Sequence, residues 1–217
     1  LVYDVRRNIG AKLHEEAPVN ADSICPVPDS GTAYAIGYSK TSRIPFVESL
    51  MKNRYMGRTF IMPSQIEREK AVRMKLNPIR DHLTGKSVVL VDDSIVRGTT
   101  SRRIIGIIRD AGAKEVHVRI GSPAITAPCY LGVDIPTRQE LIASDKSEEE
   151  VRGRITANSL HHISLEALVE SIGIERKHLC TGCLTGCYPV SITGEQSQPP
   201  AIDFLDGTYQ TKLELFE

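Results

Sequence analysis

From Ser87 to Val91 the chain reads Ser-Val-Val-Leu-Val, an apolar run without alternation, and a strand of that kind needs cover on both faces. A parallel sheet between helices supplies such cover. Downstream, Thr100 to Ala111 carries Ile104, Ile105, Ile107 and Ile108 and meets Gly112 as a stop, which predicts a helix. Glu115 to Gly121 then alternates as a further strand, so 87–121 reads as one βαβ unit. Upstream, Val5, Ile9 and Leu13 put a helix over Tyr3–Glu16, closed by Pro18. Asp22–Val27 reads as a short strand feeding the tight loop Pro28-Asp29-Ser30-Gly31, with a helix over Thr32–Ser42 and a second βα pass from about Pro45. The expected fold is α/β, a mostly parallel open sheet flanked by helices, whose ligands bind beyond the carboxyl ends of the strands.

The last third differs in kind. Ser147-Glu148-Glu149-Glu150 is a capping box opening a helix to about Ala157, and Leu165, Leu168, Val169 and Ile172 mark another that Gly173 ends. With 217 residues there is room for one full-sized core, here divided into a core over 1–143, a C-terminal helical and cysteine-bearing part of the same domain over 144–193, and a loosely attached tail over 194–217. The 27 basic and 27 acidic side chains cancel, which removes any bulk electrostatic case for a nucleic-acid or membrane partner. No apolar run reaches membrane-span length and Leu1–Gly10 has no signal-peptide pattern, so a cytoplasmic protein is expected. The text opens with Leu1 inside a helical pattern, and a piece of a longer chain is expected on that ground.

Because the whole chain is neutral, a polyanionic ligand has to be held by local design. Between Lys52 and Arg80 eight basic residues face two acidic ones, a segment that reads either as a mobile basic loop or as a solvated basic face. The richest stretch is Leu90-Val91-Asp92-Asp93-Ser94-Ile95-Val96-Arg97-Gly98-Thr99-Thr100. Its strand delivers two carboxylates to its own end, and the loop behind adds a glycine, two threonine hydroxyls and the free N–H groups of a new helix. Such N–H groups cradle phosphate, since they lack partners and the helix dipole favours an anion. Twin carboxylates beside a phosphate make sense if they face hydroxyls or a divalent cation. A sugar phosphate satisfies both halves, although an acidic pair by itself is often only a polar strand exit.

This stretch resembles the 5-phosphoribosyl-1-pyrophosphate (PRPP) signature of type I phosphoribosyltransferases, in the extended spelling of the glutamine PRPP amidotransferase family. Val27-Pro28-Asp29-Ser30-Gly31 is similar to that family's pyrophosphate loop, and Lys52-Asn53-Arg54-Tyr55-Met56-Gly57-Arg58-Thr59-Phe60-Ile61 to its flexible loop. The resemblance reaches about Val190 and implies the type I phosphoribosyltransferase fold. It also implies that Asp92 and Asp93 hold the ribose hydroxyls and, with Ser30, magnesium. Ser94, Val96, Arg97, Gly98, Thr99 and Thr100 would bind the 5-phosphate, and Asp29, Ser30 and Gly31 the pyrophosphate. Lys52 and Asn53 would bind PRPP, and Asn53, Arg54, Tyr55 and Arg58 of the flexible loop would shut out water and complete the ammonia path. Nothing in the chain matches the family's glutaminase domain, so ammonia in place of glutamine is the expected nitrogen source, giving 5-phosphoribosylamine at the opening of purine synthesis. The resemblance further implies a homotetramer inhibited by purine nucleotides. A non-catalytic PRPP-binding module and a nucleobase salvage phosphoribosyltransferase are the alternatives. The closing loop speaks against the first, and the want of a base-stacking hood against the second.

Five cysteines without an export signal argue for metal binding or core use rather than disulfides. Cys180-Thr181-Gly182-Cys183, with Cys129 as a distant third, suits zinc or an iron–sulfur cluster. Here the resemblance implies a [4Fe-4S] cluster on Cys129, Cys180 and Cys183, with the fourth ligand upstream of Leu1. Cys187 is a possible substitute only by its closeness in sequence. Cys25 reads as a buried small hydrophobe, and His82, His117, His161 and His162 as structural or surface groups.

Overall fold

A computed structural model describes residues 1–53, 76–133, 135 and 137–192. In chain order it contains α1 (Val2–Glu16), β1 (Ser23–Pro26), α2 (Thr32–Ser42), β2 (Leu50–Lys52), β3 (Leu76–Pro78), α3 (Arg80–Leu83), β4 (Ser87–Asp92) and α4 (Thr99–Asp110). There follow β5 (Glu115–Ile120), α5 (Glu148–Ile155), β6 (Ser159–His162), α6 (Leu165–Ile172) and α7 (Gly182–Thr185). The main sheet has the order β1-β4-β5-β6 with every pair parallel.

The uninterrupted apolar run is explained by burial on both sides. Val88 and Leu90 point into a core shared with Ile104, Ile105 and Ile108 of α4 and Val151 and Ile155 of α5. Val89 and Val91 point the other way, into a second core with Ile9 and Leu13 of α1, Tyr34 and Tyr38 of α2 and Ala167 from α6. Period-two alternation of side chains therefore divides one strand between two apolar layers.

Two elements depart from the sequence reading. The segment after Pro45 is not a second βα pass. It touches β1 through a single parallel bridge between Ile24 and Phe46, in which Ile24 N donates to Pro45 O (2.8 Å) and Val47 N to Ile24 O (2.9 Å). The chain then leaves the sheet and forms β2, which pairs antiparallel with β3 as a separate two-stranded ribbon. Proline has no N–H, so Pro45 can accept from β1 but cannot extend a ladder. The second departure is β6, four residues reading Ser-Leu-His-His, which extends the parallel sheet from within the C-terminal part that was expected to be helical.

The outer edge of the sheet is tied by charge. His161 Nε2 lies 3.1 Å from Glu16 Oε2 on α1, and its Nδ1 lies 3.5 Å from Glu148 Oε1 at the start of α5. Glu148 Oε2 also accepts from the His162 N–H at 2.9 Å and lies 3.0 Å from His162 Nδ1. Burial opposes the charge on Glu148, but the hydrogen bonds from His161 and His162 override it and hold the carboxyl well below the usual range. The bond to Glu148, and then that to Glu16, raises His161 against the cost of burial. A histidine raised in the folded state stabilises fully below its unfolded pKa of about 6.5 and loses that contribution as pH climbs through the higher folded value. Denaturant unfolding of His161→Gln should therefore show a larger deficit against the unsubstituted protein at pH 5.5 than at pH 9. Equal deficits would leave the ion pairs without thermodynamic weight.

Candidate active site

β4 is the second strand of the main sheet, flanked by β1 and β5, and ends with Asp92 at the carboxyl edge. Asp93, Ser94, Val96, Arg97, Gly98, Thr99 and Thr100 follow around a cavity of ≈ 300 Å³, with Ser30 entering from the loop after β1. Gly98 makes the turn into α4 at φ +74°, a left-handed conformation that suits glycine, and no side chain caps the helix it opens. The first N–H groups of α4 thus face the cavity with no side-chain acceptor, as an anion cradle requires.

The carboxylates are strongly linked. Asp92 Oδ1 accepts from the Ser30 hydroxyl (2.9 Å) and from the Asp93 N–H (2.8 Å), and Ser94 Oγ donates to Asp93 Oδ1 (3.1 Å). Burial, and then the neighbouring charge of Asp93, push the Asp92 carboxyl up to about 7 despite those two bonds. A cation or a pair of ligand hydroxyls would relieve both causes. Two carboxylates and a hydroxyl are too few to enclose an ion alone, and among the described residues no group of three or more His, Cys, Asp or Glu side chains is disposed to hold one. They suit magnesium, which takes one or two carboxylates and draws its other ligands from water and substrate phosphates.

The loop Pro28–Gly31 closes the site from the β1 side. Gly31 N donates to Val27 O (2.8 Å), and an added Cβ on Gly31 would sit 2.1 Å from the Val91 carbonyl oxygen, so this loop lies directly on β4. The Pro28–Asp29 peptide is cis. Asp29 pairs with Lys52 Nζ at 3.0 Å, joining the loop to the end of β2. Pro28, Asp29 and Lys52 line an adjoining cavity of ≈ 610 Å³ with Glu48, Met51 and His82. Asp29, Ser30, Gly31, Lys52, Asn53 and the 92–100 loop are all described residues, whereas Arg54, Tyr55 and Arg58 lie outside them.

Three contributors carried no signal in the sequence. Tyr34 lies near enough to Asp93 and Asp92 for their charge to raise its hydroxyl, after burial as the larger cause, and Arg6 lies over its ring at 5.9 Å. Glu140 holds Arg97 Nε at 2.8 Å, so Arg97 turns partly away from the cavity it lines. Ile142 N donates to Val96 O (2.9 Å) and so backs the loop from behind.

Near the cysteines, Thr126 N and Ala127 N both donate to Cys183 O at 3.0 Å, and the Tyr188 hydroxyl to Pro128 O at 2.7 Å. These bonds strap α7 to the segment leading into Cys129. Burial first, then the charges of Cys129 and Cys180, raise the Cys183 thiol. The three thiols are therefore neighbours, yet as placed they form no group able to enclose a metal ion. Cys25 is fully buried and its thiol is pushed up to about 12, as an inert core residue requires. No helix among the described residues is long and apolar enough to cross a membrane.

No family model matches the chain. It is 58% identical over 201 residues to an amidophosphoribosyltransferase of Methanothermobacter thermautotrophicus, covering 93% of this chain and 42% of that protein. It is 58% identical over 195 residues to that of Methanocaldococcus jannaschii, covering 90% and 41%. Among solved structures, glutamine PRPP amidotransferase from Bacillus subtilis complexed with ADP and GMP superimposes with a TM-score of 0.81 at 50% identity, covering 91% of this chain and 44% of that one. The chain spans about two-fifths of the length of the curated relatives it matches.

Proposed function

We propose that this chain, which belongs to the amidophosphoribosyltransferase family and corresponds to its phosphoribosyltransferase portion, transfers the 5-phosphoribosyl group of PRPP to ammonia. The observation that carries the proposal is the meeting of one acidic pair and one anion cradle in a single cavity at the end of β4. A phosphorylated sugar satisfies both, with its hydroxyls on the acids and its phosphate in the cradle.

In this reading the 5-phosphate accepts from the first N–H groups of α4 and from the Thr99 and Thr100 hydroxyls. The ribose 2- and 3-hydroxyls donate to Asp92 and Asp93. The pyrophosphate lies on Asp29–Gly31, within reach of Lys52. When bound by Asp92, Asp93 and Ser30, magnesium would neutralise charge on the pyrophosphate. Ammonia attacks C1 through its lone pair, the bond from C1 to the pyrophosphate oxygen breaks with its electrons going to that oxygen, and the new ammonium group loses a proton. Positive charge builds on the ring as the bond breaks, and the Asp92–Asp93 carboxylates are placed to stabilise it. No side chain is needed as a nucleophile.

Arg54, Tyr55 and Arg58 are proposed to close over the substrate and exclude water. A [4Fe-4S] cluster on Cys129, Cys180 and Cys183 needs a fourth thiolate from outside this chain and some adjustment of the three, and no chemical step depends on it. A homotetramer, purine-nucleotide inhibition, ammonia delivery from a glutaminase domain and a cytoplasmic location belong to the same proposal.

The test is pyrophosphate release by the full-length protein given PRPP, magnesium and ammonium at alkaline pH, with iron content and visible absorbance measured on the same preparation. Turnover with ammonia is expected. Binding of PRPP without turnover would reduce the chain to a PRPP-binding module, and turnover only with a nucleobase would make it a salvage enzyme.

A further inference from the structure

The loop that cradles the phosphate has an outer face. Arg97, Gly98 and Thr99 line the substrate cavity on one side and, on the other, a separate cleft of ≈ 390 Å³. Into that cleft converge four cationic side chains, Arg97, Arg102, Lys146 and Arg154, against one lining carboxylate, Glu140. Glu140 is occupied by Arg97 and Lys146 pairs with Asp145. The side chains of Arg102 and Arg154 have no hydrogen-bond or ion-pair partner among the described residues, although the chain as a whole carries equal numbers of basic and acidic groups. A solvated basic face spreads its charges apart. Here they share one concavity, and the mutual repulsion of two unpaired guanidinium groups calls for a counter-charge between them.

We propose that this cleft is a second anion site, taking a phosphate-class dianion, and that its occupant acts on the substrate cradle through Arg97. Guanidinium groups offer paired N–H donors that match a tetrahedral oxyanion, and a doubly charged one suits an excess of cations better than a carboxylate does. Two links carry the effect inward. An anion in the cleft adds its charge to that of Glu140 in holding Arg97 on the outer face, away from the substrate phosphate. The strand of chain behind the loop, tied by Ile142 N to Val96 O, forms part of the same cleft wall. Occupancy should therefore weaken PRPP binding, and PRPP should weaken the anion by the same factor. The coupling rests on reading the inner face as a 5-phosphate cradle, whereas the binding site does not.

The experiment is calorimetric titration of inorganic phosphate into the full-length protein at ionic strength held constant with chloride. It compares the unsubstituted protein with Arg102→Gln/Arg154→Gln and with Thr100→Ala, whose residue lines the substrate cavity but not the cleft. The arginine variant should lose one phosphate site, weakened at least about tenfold, and the threonine variant should keep it. In the arginine variant PRPP binding without phosphate stays unchanged, while the phosphate concentration that halves it rises about tenfold, by the same reckoning. Arg102 and Arg154 are exposed, so folding should be unaffected; if that variant misfolds, Lys146→Gln provides the same comparison. Phosphate binding by the arginine variant with unaltered stoichiometry and affinity, or an equal effect from chloride, overturns the proposal. Failure of PRPP to bind the unsubstituted protein instead removes the functional reading and leaves the phosphate titration to decide this site.

Discussion

Asp92→Asn should lower PRPP turnover by about 10²–10³-fold and at the same time leave the ligand-free protein at least as stable as before. The two outcomes have one cause. At pH 8 the folded protein holds a carboxylate that burial and the neighbouring Asp93 have pushed up to about 7, and keeping it ionised costs on the order of 4 kcal/mol relative to the unfolded chain. Asparagine keeps the shape and can still accept from Ser30 and from the Asp93 N–H, but carries no charge. A group raised in the folded state is destabilising above its folded pKa and neutral in effect below its unfolded one. The stability gain of the variant should thus be largest above pH 7 and fade towards pH 4. Activity moves the other way because the missing charge is the one proposed to serve the sugar and the cation. With Asp93→Asn added, turnover should fall below detection. Thermal unfolding at several pH values, without magnesium, and pyrophosphate release supply the two readouts. A variant that loses stability along with activity would mark Asp92 as a structural residue.

The acidic pair and its cradle were legible because a short stretch of sequence holds every part of them. Ser87–Val91 declares a doubly covered strand, Gly98 the turn, and Ile104, Ile105 and Ile108 the helix that must pack back on the sheet. Local signals of that kind survive without tertiary context. Strand β6 did not, since Ser-Leu-His-His has neither a β-branched residue nor clean alternation, and its place comes from pairing with β5 and from the carboxylate of Glu148. The ribbon of β2 and β3 was misread for a related reason. Three-residue strands are defined by their partners, and these partners lie more than twenty residues apart. Tyr34, Glu140 and Ile142 reach the site from helix and loop positions whose spacing says nothing about the end of β4. The cysteines show the opposite limit: their clustering was plain, but spacing alone does not place three thiols around an ion.

Gly31→Ala should lower both the stability of the protein and its turnover. Its Cβ would lie 2.1 Å from the Val91 carbonyl oxygen and 3.0 Å from Val27 N, both backbone atoms of or beside the central strand. Neither can rotate away, so the start of α2 has to lift off β4. Forced overpacking of this sort costs about 1–3 kcal/mol, equivalent for a domain of this size to a fall of roughly 2–12 °C in the unfolding midpoint. The same displacement carries Ser30 away from Asp92 and opens the loop proposed to hold pyrophosphate, and a shift near 1 Å at a reacting centre can cost about 10² in rate. Gly106→Ala on α4 is the matched control, because nothing lies within 4 Å of its added methyl group and alanine favours a helix interior by about 1 kcal/mol. If Gly31→Ala kept full stability and turnover while Gly106→Ala behaved likewise, the close seating of the loop on β4 would have no part in positioning the site.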